Sequence, residues 1–155
     1  MLTFEEFKSI TGGYASVDLL PQDKKDLTDY FNDNGVENII DDLHVTVIYD
    51  TTNPAIEVQP LQDSFTTKVV GCKTLGEKDS KWFSITLILE TDDLVKQHEA
   101  LKELGFKHSY PEFIPHVSIK YQPTEDDIVK IKALTNDIIG KELEFGSLKI
   151  ERIKD

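Results

Sequence analysis

The sequence predicts an α+β fold: two pseudo-symmetric β-sheet lobes, helices packed outside them and a central cleft. Three observations carry that prediction. The order strand, helix, strand, connector, strand occurs twice, over residues 12–76 and again over 81–153. An internal repeat that long implies two similar lobes. Each half also holds a short apolar strand with a histidine two places before a hydroxyl residue: His44-Val45-Thr46-Val47-Ile48 and His116-Val117-Ser118-Ile119-Lys120. A chain of 155 residues, 39% of them hydrophobic, has enough apolar surface for one core, so 1–155 reads as a single domain.

In the first half, Tyr14–Leu20 reads as a strand entered through Gly12-Gly13. Pro21 suits the first turn of a helix, Leu27, Tyr30 and Phe31 recur at helical spacing, and Gly35 is a natural stop. His44–Tyr49 is the next strand. Asp50–Asp63, with Pro54 and Pro60, reads as a loop with room for a short helix, and Thr66–Leu75 as a strand. Gly76–Ser80 is the turn into the second half.

There, Trp82–Leu89 is rich in β-branched and aromatic residues and reads as a strand. Thr91 caps a helix whose apolar positions are Leu94, Val95, His98, Leu101 and Leu104, and Gly105 ends it. Pro111 and Pro115 frame the loop that delivers His116–Tyr121. Thr124 with Asp127 resembles a capping box, opening a helix with Ile128, Ile131, Leu134 and Ile138 on one stripe. Leu143–Ile153 is a last strand, bent or broken at Gly146.

The charge narrows the function. Seventeen basic against 29 acidic side chains give −12, which argues against gripping long nucleic acid, since that needs a basic surface to displace counterions. A small anion in a locally basic pocket remains open. No apolar run is long enough to cross a membrane, and Met1–Glu6 lacks the basic and apolar regions of a signal peptide. Cys72 is the only cysteine, so neither an intramolecular disulfide nor a cysteine metal cluster is expected. A reduced cytosolic setting follows as the expectation.

Side chains alternate across a strand, so His44 and Thr46 share one face, roughly 6–7 Å apart, as do His116 and Ser118. His-x-Ser/Thr arises by chance in roughly one histidine in ten. Here two of four histidines carry it, at the same place in the repeat. Imidazole titrates near pH 6.5, so a neutral and a protonated ring coexist near neutrality. One can take a proton from a nucleophile and the other give one to a leaving oxygen, while the hydroxyls donate to the non-bridging oxygens of a phosphate. Which ring plays which part stays open at this point. His98 and His108 read as a helix-edge residue and a loop residue without partner spacing.

On these paired motifs the chain resembles the two-histidine (2H) phosphoesterase superfamily, over nearly its whole length. Thr11-Gly12-Gly13-Tyr14-Ala15, the helix from Pro21 to Gly35 and the spacing to His44 make it most similar to the phage anti-CBASS protein 1 group. The resemblance implies the bilobal, LigT-like fold. It implies a phosphodiesterase, acting without metal or other cofactor, that cleaves 3′–5′ bonds of cyclic di- or trinucleotide messengers such as 3′,3′-cGAMP in bacterial antiviral defence. For a phage-encoded protein that work is in the host cytoplasm. His44, Thr46, His116 and Ser118 would be catalytic, with a small cyclic nucleotide as the partner. Tyr14, Trp82 and Glu144 are candidate substrate contacts: two aromatic platforms for a base, and a carboxylate for a base edge. Both aromatics are also readable as core, Trp82 more so than Tyr14, and Glu144 as a solvated side chain. Lys24, Lys25 and Lys120 could counter phosphate charge. Other readings of the motifs are a 2′,3′-cyclic phosphodiesterase of RNA ends or small nucleotides, a non-catalytic nucleotide sponge, and a metallohydrolase, whose ligand set the hydroxyl partners fit poorly.

Overall fold

The structure is a computed structural model describing residues 12–58, 63–90, 92–109 and 113–153. In chain order it contains β1 (Tyr14–Asp18), α1 (Pro21–Asp33), β2 (His44–Tyr49), β3 (Phe65–Leu75), β4 (Ser84–Glu90), α2 (Asp92–Glu103), β5 (His116–Tyr121), α3 (Glu125–Asn136), β6 (Glu142–Phe145) and β7 (Lys149–Glu151). The fold is α+β, with two antiparallel sheets in the orders β2-β1-β7 and β5-β4-β3-β6. The cap expected at Thr91, the loop proline Pro111 and Pro60 lie outside the described residues.

The two sheets repeat one another in register. On β1, Tyr14 faces Tyr49, Ser16 faces Thr46 and Asp18 faces His44, with a bulge between Ala15 and Ser16. On β4, Ser84 faces Tyr121, Thr86 faces Ser118 and Ile88 faces His116, with a bulge between Ile85 and Thr86. Both histidine strands sit at the edge of their sheet, beside the strand that opens their half.

The third strands are exchanged. β3 pairs with β4 because a short turn joins them, and consecutive strands so joined pair antiparallel. Gly76 makes that turn at φ 87°, where a side chain would press on the Trp82–Phe83 backbone. The last extended stretch breaks at Gly146, as expected, but its two parts serve different sheets: β6 pairs with β3, and β7 with β1. The chain halves 12–76 and 81–153 therefore trade strands, and each sheet is completed from the other half.

Alternation drives the histidine strands inward. Val45, Val47, Val117 and Ile119 are fully buried, each contributing about 1.5–3 kcal/mol, which leaves His44, Thr46, His116 and Ser118 on the opposite faces. The core is one continuous cluster that also takes Leu27 and Phe31 from α1, Leu94 and Leu101 from α2 and Ile131 from α3. α2 lies against β2 and β3, and α3 against β3 and β4. Thr124 and Asp127 form the capping box: Asp127 N donates to Thr124 Oγ1 (3.1 Å) and Thr124 N to Asp127 Oδ2 (3.0 Å). α1 starts on Pro21 without a capping side chain and stops at Gly35, where Val36 N reaches back to Phe31 O (2.9 Å).

One expectation is corrected. The strand read from Trp82 begins at Ser84; Trp82 lies in the preceding turn and is 63% exposed. The described part of Asp50–Asp63 is a loop, as read.

Candidate active site

β2 and β5 pack against each other, bringing the two histidine strands together from different sheets. Just before β2, Ile40 N donates to Ile119 O of β5 (2.9 Å). His44 and His116 are close enough that charge on His44 disfavours charge on His116.

Around His44 the side chains form one hydrogen-bonded set. Nδ1 donates to the Asp42 carbonyl (2.8 Å), with Asp42 Oδ2 at 3.5 Å. That fixes Nε2 as the nitrogen facing Tyr14, whose hydroxyl lies 2.7 Å away. The same hydroxyl lies 3.1 Å from Thr46 Oγ1. Burial raises the Tyr14 phenol above its ordinary pKa, with the Asp42 and Tyr121 charges adding to that and the Thr46 hydrogen bond opposing it. Tyr14 is therefore a neutral donor at physiological pH. Its ring packs edge-on against Tyr49 (5.9 Å) and His44 (6.2 Å).

The second half is plainer. His116 Nδ1 donates to the Ile114 carbonyl (2.6 Å), and Ser118 Oγ lies 3.2 Å from Ser84 Oγ. Burial pushes His116 below its usual pKa, and His44 adds to that against the Ile114 hydrogen bond. The cross-strand neighbours differ as well: Asp18 stands opposite His44, whereas Ile88 stands opposite His116.

A model of the family described as "Anti-CBASS protein Acb1" matches residues 11–155. The chain belongs to the Acb1 family. The anti-CBASS protein Acb1 of Vibrio phage KVP40 is 26% identical over 130 residues, covering 83% of this chain and 82% of that protein. The anti-CBASS protein Acb1 of Caulobacter sp. (strain RHG1) is 25% identical over 121 residues, 74% of this chain but 18% of that longer protein.

In this Acb1-family chain the other candidates lie on several different elements. Trp82 meets Tyr121, the last residue of β5, edge-on at 5.9 Å, with Lys81 Nζ 4.9 Å from its ring centre. The two make an exposed aromatic surface at the far end of the His116 strand. Glu144 lies on β6, the edge of the four-stranded sheet opposite β5, where its backbone N donates to Asp23 Oδ2 (2.8 Å) and its carbonyl accepts from Leu20 N (2.9 Å). Two residues on, Gly146 N donates to Asp18 O (2.9 Å), and Asp18 faces His44, so the chain leaving β6 passes the end of β1 beside the His44 strand. Lys120 is tied to Asp127 (3.0 Å) and Lys25 to Asp29 (2.7 Å). Lys24 and Lys25 line an open groove of about 550 Å³ with Asp18, Asp41, Asp42 and Leu43 on the side of His44.

Sequence reading missed Asp18, Asp42, Ser84 and Lys149. Lys149 Nζ bridges Asp18 Oδ2 (3.0 Å) and Glu151 Oε1 (3.4 Å), and β7 brings it opposite Ser16 from the far end of the chain. No local signal links such positions; only sheet register does. His98 and His108 brace the structure behind β2. His98 is buried, donates from Nδ1 to the Val47 carbonyl (2.6 Å) and stacks on Phe113 (4.1 Å). His108, which sequence spacing left without a partner, meets His98 edge-on (5.0 Å) and accepts from Tyr49 N at Nδ1 (3.2 Å). Among the described residues no three His, Cys, Asp or Glu side chains converge as an ion site would need, and no helix is long and apolar enough to cross a membrane.

Proposed function

We propose that this protein is a phosphodiesterase that opens 3′–5′ bonds of cyclic di- and trinucleotide immune messengers, such as 3′,3′-cGAMP, without a metal ion, and so serves phage evasion of CBASS defence in the host bacterial cytoplasm. The observation that carries the reading is the convergence of two His-x-Thr/Ser strands, one from each sheet, in a chain of the Acb1 family. The net charge of −12 favours a small enclosed nucleotide over long RNA.

The inequality of the two imidazoles suggests their roles. Burial keeps His116 neutral, which suits a general base. His116 Nε2 takes the proton of the ribose 2′-hydroxyl beside the scissile phosphate. The new 2′-O–P bond forms as the P–O5′ bond breaks, and the departing 5′-oxygen takes a proton from His44. Thr46 and Ser118 donate hydrogen bonds to the non-bridging oxygens, where charge grows. The product is a linear nucleotide ending in a 2′,3′-cyclic phosphate, which water opens with the roles reversed.

Incubation of the pure protein with a panel of cyclic oligonucleotides in excess chelator, with mass analysis of products, tests this. Turnover is expected, and loss of at least about 10²-fold in His44→Ala and His116→Ala with binding retained. A substrate lacking the 2′-hydroxyl next to the scissile phosphate should survive. Its normal cleavage would eliminate this nucleophile, and activity lost to chelator and restored by zinc would eliminate the metal-free mechanism.

A further inference from the structure

The register places Tyr14 and Ser84 at equivalent positions. Each opens the strand paired with the histidine strand of its sheet, and each faces the residue five places after the histidine, Tyr49 or Tyr121. Each also sends a hydroxyl to the hydroxyl partner of that histidine: Tyr14 to Thr46 at 3.1 Å, and Ser84 to Ser118 at 3.2 Å. Serine ends there. The longer tyrosine goes on to His44 Nε2 at 2.7 Å. The two halves thus share a hydroxyl pair, and one of them extends it to the histidine.

We propose that Tyr14 is a positioning residue whose phenol ties the proton on His44 to the donor state of Thr46. A phenol has one proton to give. When His44 is neutral, Nε2 is an acceptor, the phenol donates to it, and the Thr46 hydroxyl turns toward the phenol oxygen. When His44 carries the second proton, Nε2–H donates to the phenol oxygen and the phenol donates to Thr46 Oγ1. The Thr46 proton is then released toward whatever lies in the cleft. The protonated ring that serves the leaving oxygen and the hydroxyl that serves the phosphate oxygen are therefore set in one state. The leaving oxygen then replaces the phenol oxygen as the acceptor of Nε2–H while the phenol keeps its bond to Thr46 Oγ1; once the proton has passed to the leaving oxygen, the phenol turns back to the Nε2 lone pair. Ser118 has no such coupling to His116 through Ser84.

Among the described residues, the charged and titratable groups around His44 include Asp42 on its own segment, Asp18 opposite it on β1 and Lys149 bridged to Asp18 from β7, His116 and Tyr121 on β5, and Lys24, Lys25 and Asp41 along the groove beside Asp42. None of them spans His44 and Thr46 as the phenol does.

This rests on the phosphodiesterase reading for its kinetic arm but not for its spectroscopic one. Tyr14→Phe keeps the ring and removes the oxygen. In the substrate-free protein, nitrogen NMR of the histidine side chains should show the His44 Nε2 resonance displaced in Tyr14→Phe and that of His116 in place. In turnover, Tyr14→Phe should lower kcat by about thirtyfold with KM within about twofold. The pair Tyr14→Phe/Thr46→Val should be no more than about twofold worse than Thr46→Val alone, whereas Ser84→Ala and Thr46→Val should multiply. An unmoved His44 resonance, or Tyr14→Phe and Thr46→Val losses that multiply, overturns the coupling. If the wild-type chain leaves every cyclic nucleotide intact, the proposed reaction falls, and the nitrogen spectrum alone decides whether the phenol couples the two side chains.

Discussion

Replacing Asp50 by asparagine should cost about 3 kcal/mol at neutral pH. Asp50 follows β2 directly and is 2% exposed. Its Oδ1 accepts from Thr52 N (3.0 Å) and Thr52 Oγ1 (2.6 Å), and its Oδ2 from Lys107 N (2.8 Å). Burial alone would raise this carboxyl, but the Thr52 hydroxyl and the Lys107 and Thr52 amides outweigh it and bring it below its ordinary value. Asparagine has the same shape, yet one of its two ends is an NH₂ that must face a donor. One bond to a charged acceptor, about 1.5–3 kcal/mol, is lost, and the others weaken by about 1 kcal/mol as the charge goes. At about 2–4 °C per kcal/mol for a chain this long, Tm falls by about 9 °C. Thermal melts across pH provide the check. A lowered carboxyl contributes stability above its unfolded pKa and loses it as pH falls through the folded one, so the gap between wild type and Asp50→Asn should narrow below about pH 3.9. An unchanged Tm at pH 7, or a gap that persists undiminished at pH 2, refutes the charged-acceptor argument.

Two further outcomes follow from the same geometry. With His116 lowered by burial and acting as the base, the acidic limb of kcat/KM should have its midpoint below about pH 6.5. The native chain then takes up that proton later than the unfolded one, so His116 also makes stability decline as pH drops through about 6.5. A limb centred well above that value would remove His116 from the role. A methyl group on Gly13 would collide with the Asp50 carbonyl oxygen, which sits against β1 where Asp50 N donates to Gly13 O (2.7 Å). Gly13→Ala should therefore lower stability by more than about 2 kcal/mol in denaturant titrations and reduce turnover through the adjacent Tyr14; an unshifted midpoint would contradict the close approach.

What the sequence disclosed was what alternation and punctuation control. His44-Val45-Thr46-Val47 and His116-Val117-Ser118-Ile119 declare their faces residue by residue, and burial of the four apolar members follows. Pro21, Gly35, Thr124 with Asp127, and Gly146 mark ends through backbone chemistry that is local by nature. Trp82 misled because β propensity describes a pleated, half-buried surface, and its neighbours turn instead: Phe83 N closes on Ser80 O (3.2 Å). The exchange of β3 and β7, the seat of Glu144 and the Asp18–Lys149 pair depend on which strands meet, which no short window of sequence contains.

The repeat also creates a problem that the proposed chemistry has to solve. A duplicated strand supplies two identical histidines, and the reaction needs a base and an acid. Titratable pairs become different when their surroundings do. Here the scaffold stays symmetric in register, and each His Nδ1 meets the carbonyl two places before it, while three side chains break the tie: Tyr14 where the other half has Ser84, Asp18 where it has Ile88, and Asp42, with its carboxylate near His44 Nδ1, where the other half has Ile114. The apolar neighbour belongs to the proposed base, and the phenol and the carboxylates to the proposed acid. Exchanging Ser84 and Tyr14 between the halves would move the phenol, so a swapped protein should carry its tyrosine-dependent histidine resonance on His116 instead of His44.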